Sequence, residues 1–164
     1  MEHAAAATPI AALESAPLAV AMRHDLWLYP IVEIVHISGF VVLVGSIVVL
    51  DLRLLGLSRS LSAKALARHV LPWSVGALLV IVPSGFLMFM AHASDFIVNP
   101  AFQLKIALIL TGLTNAAAFH TGAFRRYANA APDAPVPAMV KAHAAASIAI
   151  WFSVIACGRL LAYI

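Results

Sequence analysis

Four long apolar segments constrain the fold of this chain more than any other feature. They cover residues 26–50, 70–91, 100–124 and 142–164. Each reaches the roughly 20 residues that a helix needs to cross the hydrocarbon core of a bilayer. Only 10% of the residues are charged, well below the proportion of about 25% in soluble domains. The sequence therefore predicts an all-α integral membrane protein, built as a four-helix up-down bundle in the lipid bilayer.

The chain divides into two predicted parts. Residues 1–25 form an outward-facing N-terminal tail, and residues 26–164 form the transmembrane domain. Within the domain we expect helices at about 26–52, 66–92, 100–126 and 138–164. The tail has no Lys or Arg before Arg23, so it is unlike a secretory signal peptide. Pro9 and Pro17 exclude one long helix there, which leaves a short surface helix or a disordered tail.

The distribution of Lys and Arg predicts which way the helices run. The first loop holds four such residues, the third loop holds three, and the second loop holds none. They are Arg53, Arg59, Lys64 and Arg68 in the first loop, and Arg125, Arg126 and Lys141 in the third. Because cytoplasmic loops are enriched in Lys and Arg, we expect both termini to lie outside the cytoplasm of a bacterial cell, in a multi-pass inner-membrane protein. The net charge of +3 is spread over these loops and does not indicate nucleic-acid binding.

The stretch "VEIVHISGF" places two ionisable residues, Glu33 and His36, inside the first apolar segment. Ionisable groups are costly in hydrocarbon and are usually functional there. With a rise of about 1.5 Å per residue, Glu33 and His36 lie roughly 12 and 8 Å outward of the bilayer centre. Lys105 and Arg159 lie roughly 9 and 10 Å outward on the third and fourth helices. The sequence therefore predicts a polar layer on the outward side that joins three helices.

This outward layer has two interpretations. In the structural one, Glu33 neutralises Lys105 or Arg159 and fixes the register of the helices. His36 is not needed for that charge balance. We therefore expect His36 to be functional, as a haem ligand or as a proton relay.

A second set of histidines is predicted toward the cytoplasmic side. His69, His120 and His143 lie roughly 16, 13 and 14 Å inward of the centre. In an up-down bundle the second and fourth helices are diagonal neighbours, so His69 and His143 could face each other across the bundle axis. The alternative is that each histidine simply lies at the membrane interface.

Haem b is the cofactor that best fits imidazoles which project inward from membrane helices, with cations nearby for the propionates. The candidate cofactor-binding residues are His36, Lys105, Arg159, Glu33, His120, His69 and His143. The iron ligands would come from His36, His69, His120 and His143. This hypothesis gives the protein a role in transmembrane electron transfer, with a quinone or a redox protein as its partner.

Copper is the alternative metal, because thioether and imidazole ligands suit Cu(I). The stretch "MFMAH" supplies Met88, Met90 and His92 on the outward side. In that case the protein would be a transport or accessory protein that handles copper or protons. A structural subunit of a larger respiratory complex is a third hypothesis. The sequence does not decide whether the protein is an enzyme, and it has no pattern typical of a nucleophile triad or a P-loop.

The chain also resembles a family of small bacterial four-helix membrane proteins of unknown function (DUF6644). The resemblance covers residues 27–164 and is carried by the stretches "YPIVEIVHISGFVVLVGSIVVLDLRLLGL", "LPWSVGALLVIVPSGFLMF", "NPAFQLKIALILTGLTNAAAFH" and "GRLLAYI". The residues that match its motifs are Glu33, His36, Asp51, Arg53, Lys105, Asn115, His120 and Arg159, whereas His69, His92 and His143 lie outside them. The family is broadly similar to the membrane domain of copper-resistance D proteins and to cytochrome b561-like bundles. That similarity implies copper or haem by analogy only.

Overall fold

The computed structural model describes residues 8–128, 135–161 and 163. All regular elements in these residues are helical, which confirms the predicted fold class. They are α1 (Pro9–Glu14), α2 (Pro17–His24), α3 (Leu28–Leu55), α4 (Ala63–Ala91), α5 (Ala93–Val98), α6 (Pro100–Ala118), a π-helical turn (Phe119–Ala123), α7 (Phe124–Ala128) and α8 (Ala138–Leu160). The predicted end of the fourth helix at residue 164, and residues 1–7 of the predicted tail, lie outside the described residues.

Four helical stretches are long and apolar enough to span a membrane. They are α3, α4, the continuous stretch Pro100–Tyr127, and α8, with lengths of 28, 29, 28 and 23 residues. In each, only 11–33% of the most apolar window is buried inside the molecule. Most apolar side chains therefore face outward, as expected for helices surrounded by lipid. The length and composition of these helices indicate a multi-pass membrane protein.

Local sequence signals explain where the first two spanning helices meet their loop. α3 runs to Leu55, beyond the predicted residue 52, and Gly56 ends it with a φ of 117°. α4 begins at Ala63, before the predicted residue 66, because the Ser62 side chain accepts a hydrogen bond from the backbone N–H of Ala65. Arg53 holds the loop between them, since its guanidinium donates to the carbonyls of Leu61 and Arg59.

Helix α3 is at the centre of the packing. It packs against α4 over most of its length and also against α8, and α8 packs in turn against α6. The seam between α4 and α6 is the loosest of the four in the described residues. We call the end of the bundle where α3 begins the tail end, and the end with the α3–α4 loop the loop end. An apolar cluster of Leu43, Val44, Ala77, Ile81, Trp151 and Val154 fills the middle.

The tail folds back as a cap on the tail end of the bundle. Ala19 and Met22 of α2 are fully buried. Arg23 donates hydrogen bonds to the carbonyl oxygens of Ala91 at 3.0 Å and Glu14 at 2.7 Å. The Glu14 carboxylate accepts two hydrogen bonds from Ser94, one from the backbone N–H and one from the hydroxyl, each 2.7 Å long. Residues 8–24 are thus two short helices docked on α4 and α5.

The cap should loosen in acid because its docking uses an ionised carboxylate. The two hydrogen bonds from Ser94 lower the pKa of Glu14 below its ordinary value of 4.5. A lowered pKa contributes stability that is complete above pH 4.5 and is lost as the pH falls through the folded-state value. We expect amide hydrogen exchange in residues 8–24, corrected for intrinsic rates, to accelerate in that acid range. Glu14→Gln should remove this pH dependence, and Asp95→Asn, on a more exposed carboxylate, should retain it. An acid response that persists in Glu14→Gln would contradict this role.

Candidate functional site

His36 is held by helix α4 through one side of its imidazole ring. Its Nδ1 lies 3.1 Å from the carbonyl oxygen of Ile81 and 3.0 Å from the hydroxyl of Ser84. A carbonyl oxygen can only accept a hydrogen bond, so Nδ1 carries the proton in the neutral ring. Nε2 is then left as the basic nitrogen. This is the tautomer required of an imidazole that binds a proton or a metal through Nε2.

The sequence Pro83-Ser84-Gly85 explains how α4 receives this ring. The Ser84 hydroxyl donates to the carbonyl of Val80 at 2.6 Å, which leaves its oxygen lone pairs toward His36. Gly85 lies flat against the imidazole, because a Cβ placed there would be 2.9 Å from Cε1 of His36. Glycine therefore gives the ring the space it occupies.

Lys105 is near enough to His36 for the two groups to interact electrostatically, whereas the other two predicted members of the outward layer are exposed. Lys105 is half-buried and lies within electrostatic range of His36 and Cys157. Glu33 is exposed on α3, and the exposed Arg159 instead donates to the hydroxyl of Tyr163. Neither Glu33 nor Arg159 forms an ion pair in the described part of the chain. We call His36 and Lys105 the tail-end pair.

Asp51, which the sequence indicates only as a residue that matches the family motifs, is a buried carboxyl group toward the loop end. Its residue is 5% exposed, and among the described residues Oδ2 has no hydrogen-bond partner. Ser147 of α8 is its polar neighbour. Arg53 does not neutralise it, because that side chain is directed to the α3–α4 loop. A sequence signal is present: the apolar residues Ile47 and Leu54 stand four residues before and three residues after Asp51, on the same helix face.

Asp51 lines a cavity of about 50 Å³, to which all four spanning helices contribute. Its polar lining consists of Ser46, Asp51, Ser74, Asn115, His120, His143 and Ser147. A polar cavity of this size has room for a few water molecules. We call this space the loop-end cavity. It collects two of the three predicted inward histidines, whereas His69 is exposed on α4 and does not line it.

Asn115 fixes the tautomer of His143 in the same way that α4 fixes His36. The Asn115 amide nitrogen donates to the backbone carbonyl of His143 at 3.1 Å, so the amide oxygen must face the ring. That oxygen is 2.7 Å from Nδ1 of His143, which therefore donates. Nε2 of His143 is again the basic nitrogen. His120 reaches the cavity from the π-helical turn, a distortion that often occurs at functional sites.

The residues predicted for copper lie at the tail end of α4. Met90 is buried and Met88 is half-buried, while His92 contacts the rings of Tyr29 and Phe96. Nδ1 of His92 lies 3.8 Å from Asp95. Within the described residues, no group of three or more His, Cys, Asp or Glu side chains could hold a metal ion.

The fit between His36 and Gly85 can be tested with two glycines of the same helix. Gly85→Ala should displace the ring of His36 and weaken its hydrogen bonds. We expect its free energy of unfolding to be about 1–2 kcal/mol lower than that of Gly76→Ala. A Cβ at Gly76 meets no atom within 4 Å, so Gly76→Ala should be neutral or stabilising by up to about 1 kcal/mol. Unfolding in mixed micelles measures the difference, and ¹⁵N NMR of His36 reports the tautomer. Equal stability with an unchanged His36 spectrum would mean that Gly85 is not needed for the ring.

Comparison with known proteins gives a family but no characterised relative. No curated protein and no solved structure matches the chain. The predicted similarities to copper-resistance D proteins and to cytochrome b561-like bundles therefore stay predictions. Residues 28–164, which include every spanning helix, match the family described as "Family of unknown function (DUF6644)". The chain belongs to this DUF6644 family.

Proposed function

We propose that this protein handles protons in the membrane, with Asp51 as the proton-binding group of the loop-end cavity. The observation that carries the proposal is the buried Asp51 carboxyl, whose Oδ2 is unpartnered among the described residues and which shares a cavity with two histidines. In this proposal the tail-end pair is the second site on the proton path. Ionisable residues inside membrane bundles commonly mark proton or ion pathways.

Among the described residues, no cation neutralises the Asp51 carboxylate. An unpaired carboxylate removed from water loses several kcal/mol of solvation free energy. Arg53 interacts with the loop, and Ser147 can supply only one hydrogen bond. Binding a proton removes the charge and with it most of the cost. The carboxyl can then return that proton to cavity water or to Nε2 of His143, which makes it a reversible proton store.

The orientation predicted from Lys and Arg places the loop-end cavity and the tail-end pair in opposite halves of the membrane. With the first and third loops in the cytoplasm, the loop-end cavity lies in the cytoplasmic half of the bilayer. His36 and Lys105 then lie in the outer half. In a bacterial inner membrane, this arrangement connects the cavity to the cytoplasm and the tail-end pair to the outer face.

Asp51→Asn tests the proton-binding group directly. The amide is nearly the same size as the carboxyl but cannot exchange a proton. Infrared difference spectra of the reconstituted protein between alkaline and acid pH should show the carbonyl stretch of a buried carboxylic acid. We expect this band to vanish in Asp51→Asn and to persist in Asp95→Asn, whose carboxylate is exposed. A band that remains in Asp51→Asn would refute the assignment.

Haem is a second candidate, favoured by the two imidazoles that are each fixed through Nδ1 with Nε2 available. The residues as arranged do not fit a porphyrin. The loop-end cavity measures about 50 Å³, whereas cofactor pockets measure about 300–1,000 Å³. On the other side, the ring of His36 is packed against Gly85.

An absorption spectrum decides between the two candidates. Protein expressed with ample haem and purified in mild detergent should show no Soret band if the proton proposal is correct. A stoichiometric Soret band that is lost in His36→Ala or His143→Ala, and kept in the exposed control His69→Ala, would establish haem instead. Metal analysis of the same sample would test the copper alternative.

A further inference from the structure

Two aromatic side chains lie between the loop-end cavity and the tail-end pair. Trp151 of α8 lines the cavity and is 4% exposed. The ring centroids of Phe40 and Trp151 are 6.1 Å apart, in an edge-to-face arrangement. On its other side, Phe40 is 6.3 Å from the ring of His36. The three rings thus form a continuous row from the cavity to the tail-end pair.

The indole reaches α6 as well as α3, because Gly112 leaves space for it. A Cβ at Gly112 would be 3.4 Å from Cζ2 of Trp151 and 3.5 Å from Cε2. The surrounding side chains are apolar: Leu43, Val44, Ala77, Ile81 and Val154 belong to the same buried cluster. At this depth the described residues place aromatic and aliphatic groups between two polar compartments.

We propose that Phe40 and Trp151 form the barrier to proton movement between the loop-end cavity and the tail-end pair. The inference rests on the proposed function and deepens it, because it assigns the control of proton passage to named residues. Hydrophobic constrictions in membrane proteins stop ions by excluding water rather than by binding them. In this protein the barrier keeps the Asp51 compartment open to one side of the membrane only, and a proton can pass only when water bridges the two rings.

Truncation of the indole should open the barrier. Trp151→Ala removes the wall that the cavity shares with the apolar cluster, and a void that borders polar groups fills with water. In vesicles with a pH-sensitive dye inside and a potassium diffusion potential, we expect proton flux to rise by at least about tenfold over the native protein. Phe40→Ala should act in the same direction. Phe152→Ala is the matched control, because Phe152 is the next residue on α8 and is 56% exposed.

The double variant Trp151→Ala with Asp51→Asn distinguishes proton transfer through Asp51 from leakage through a non-selective pore. We expect the added flux to fall back toward the native level, because the proton path includes Asp51. If the flux stays high without Asp51, the proton path does not include Asp51, and the link between this barrier and the proposed function is overturned. Should Trp151→Ala fail to insert, Trp151→Leu keeps an apolar side chain without the ring, and the same outcomes apply.

The two proposals can fail independently. If Trp151→Ala and Phe40→Ala both conduct no more than Phe152→Ala, these rings are not the barrier, and the infrared assignment of Asp51 is unaffected. If the Asp51 band is absent from the infrared spectra while Trp151→Ala conducts, the proton-binding group is wrong and the barrier is simply a wall against water.

Discussion

The structure depends on one constraint: a polar group in hydrocarbon must find its partner within the protein. Helix α4 shows the local solution. Pro83 has no backbone N–H and so cannot bond the carbonyl of Leu79, and two further carbonyls of that preceding turn accept side-chain hydrogen bonds. Ser84 donates to Val80, and His36 of the neighbouring helix donates to Ile81. The same rule joins α6 to α8 through the two hydrogen bonds between Asn115 and His143. Polar side chains thus connect the helices in pairs, α3 with α4 and α6 with α8.

Asp51 is the exception to this rule among the described residues, because one oxygen of its buried carboxyl group has no hydrogen-bond partner. Every other buried side-chain nitrogen or oxygen in the described residues that is shielded from solvent has a partner. The unpartnered oxygen lies at the loop-end cavity, which two imidazoles also line. The tail-end pair lies on the far side of an apolar cluster. The bundle therefore has two polar regions, each with a basic imidazole nitrogen, and an apolar cluster between them.

The sequence predicts the helices well and their faces only in part. Apolar length alone gives four spans, and depth along each helix predicts His36 level with Lys105, and His120 level with His143. The depth of a residue along its helix does not specify which way that helix is rotated about its axis, and so does not say whether the side chain faces the bundle or the lipid. Glu33 and Arg159 are exposed, and His69 is exposed rather than lining the loop-end cavity with His143. Asp51 lies just beyond the apolar segment 26–50, so apolar length does not predict its burial. Its buried position follows from the packing of α3 against α8, and Arg53 is taken up by loop carbonyls that no periodicity identifies.

The central position of α3 has a mechanical consequence. His36 and Asp51 are both on this helix, fifteen residues apart, which corresponds to about 22 Å along its axis and an angular difference of only about 60°. They therefore lie on nearly the same side of one rigid rod. A roll of α3 about its axis carries both side chains in the same direction, away from α4 at one end and away from α8 at the other. A single helix thus joins the positions of His36 and Asp51 mechanically, without a chain of intermediate side chains.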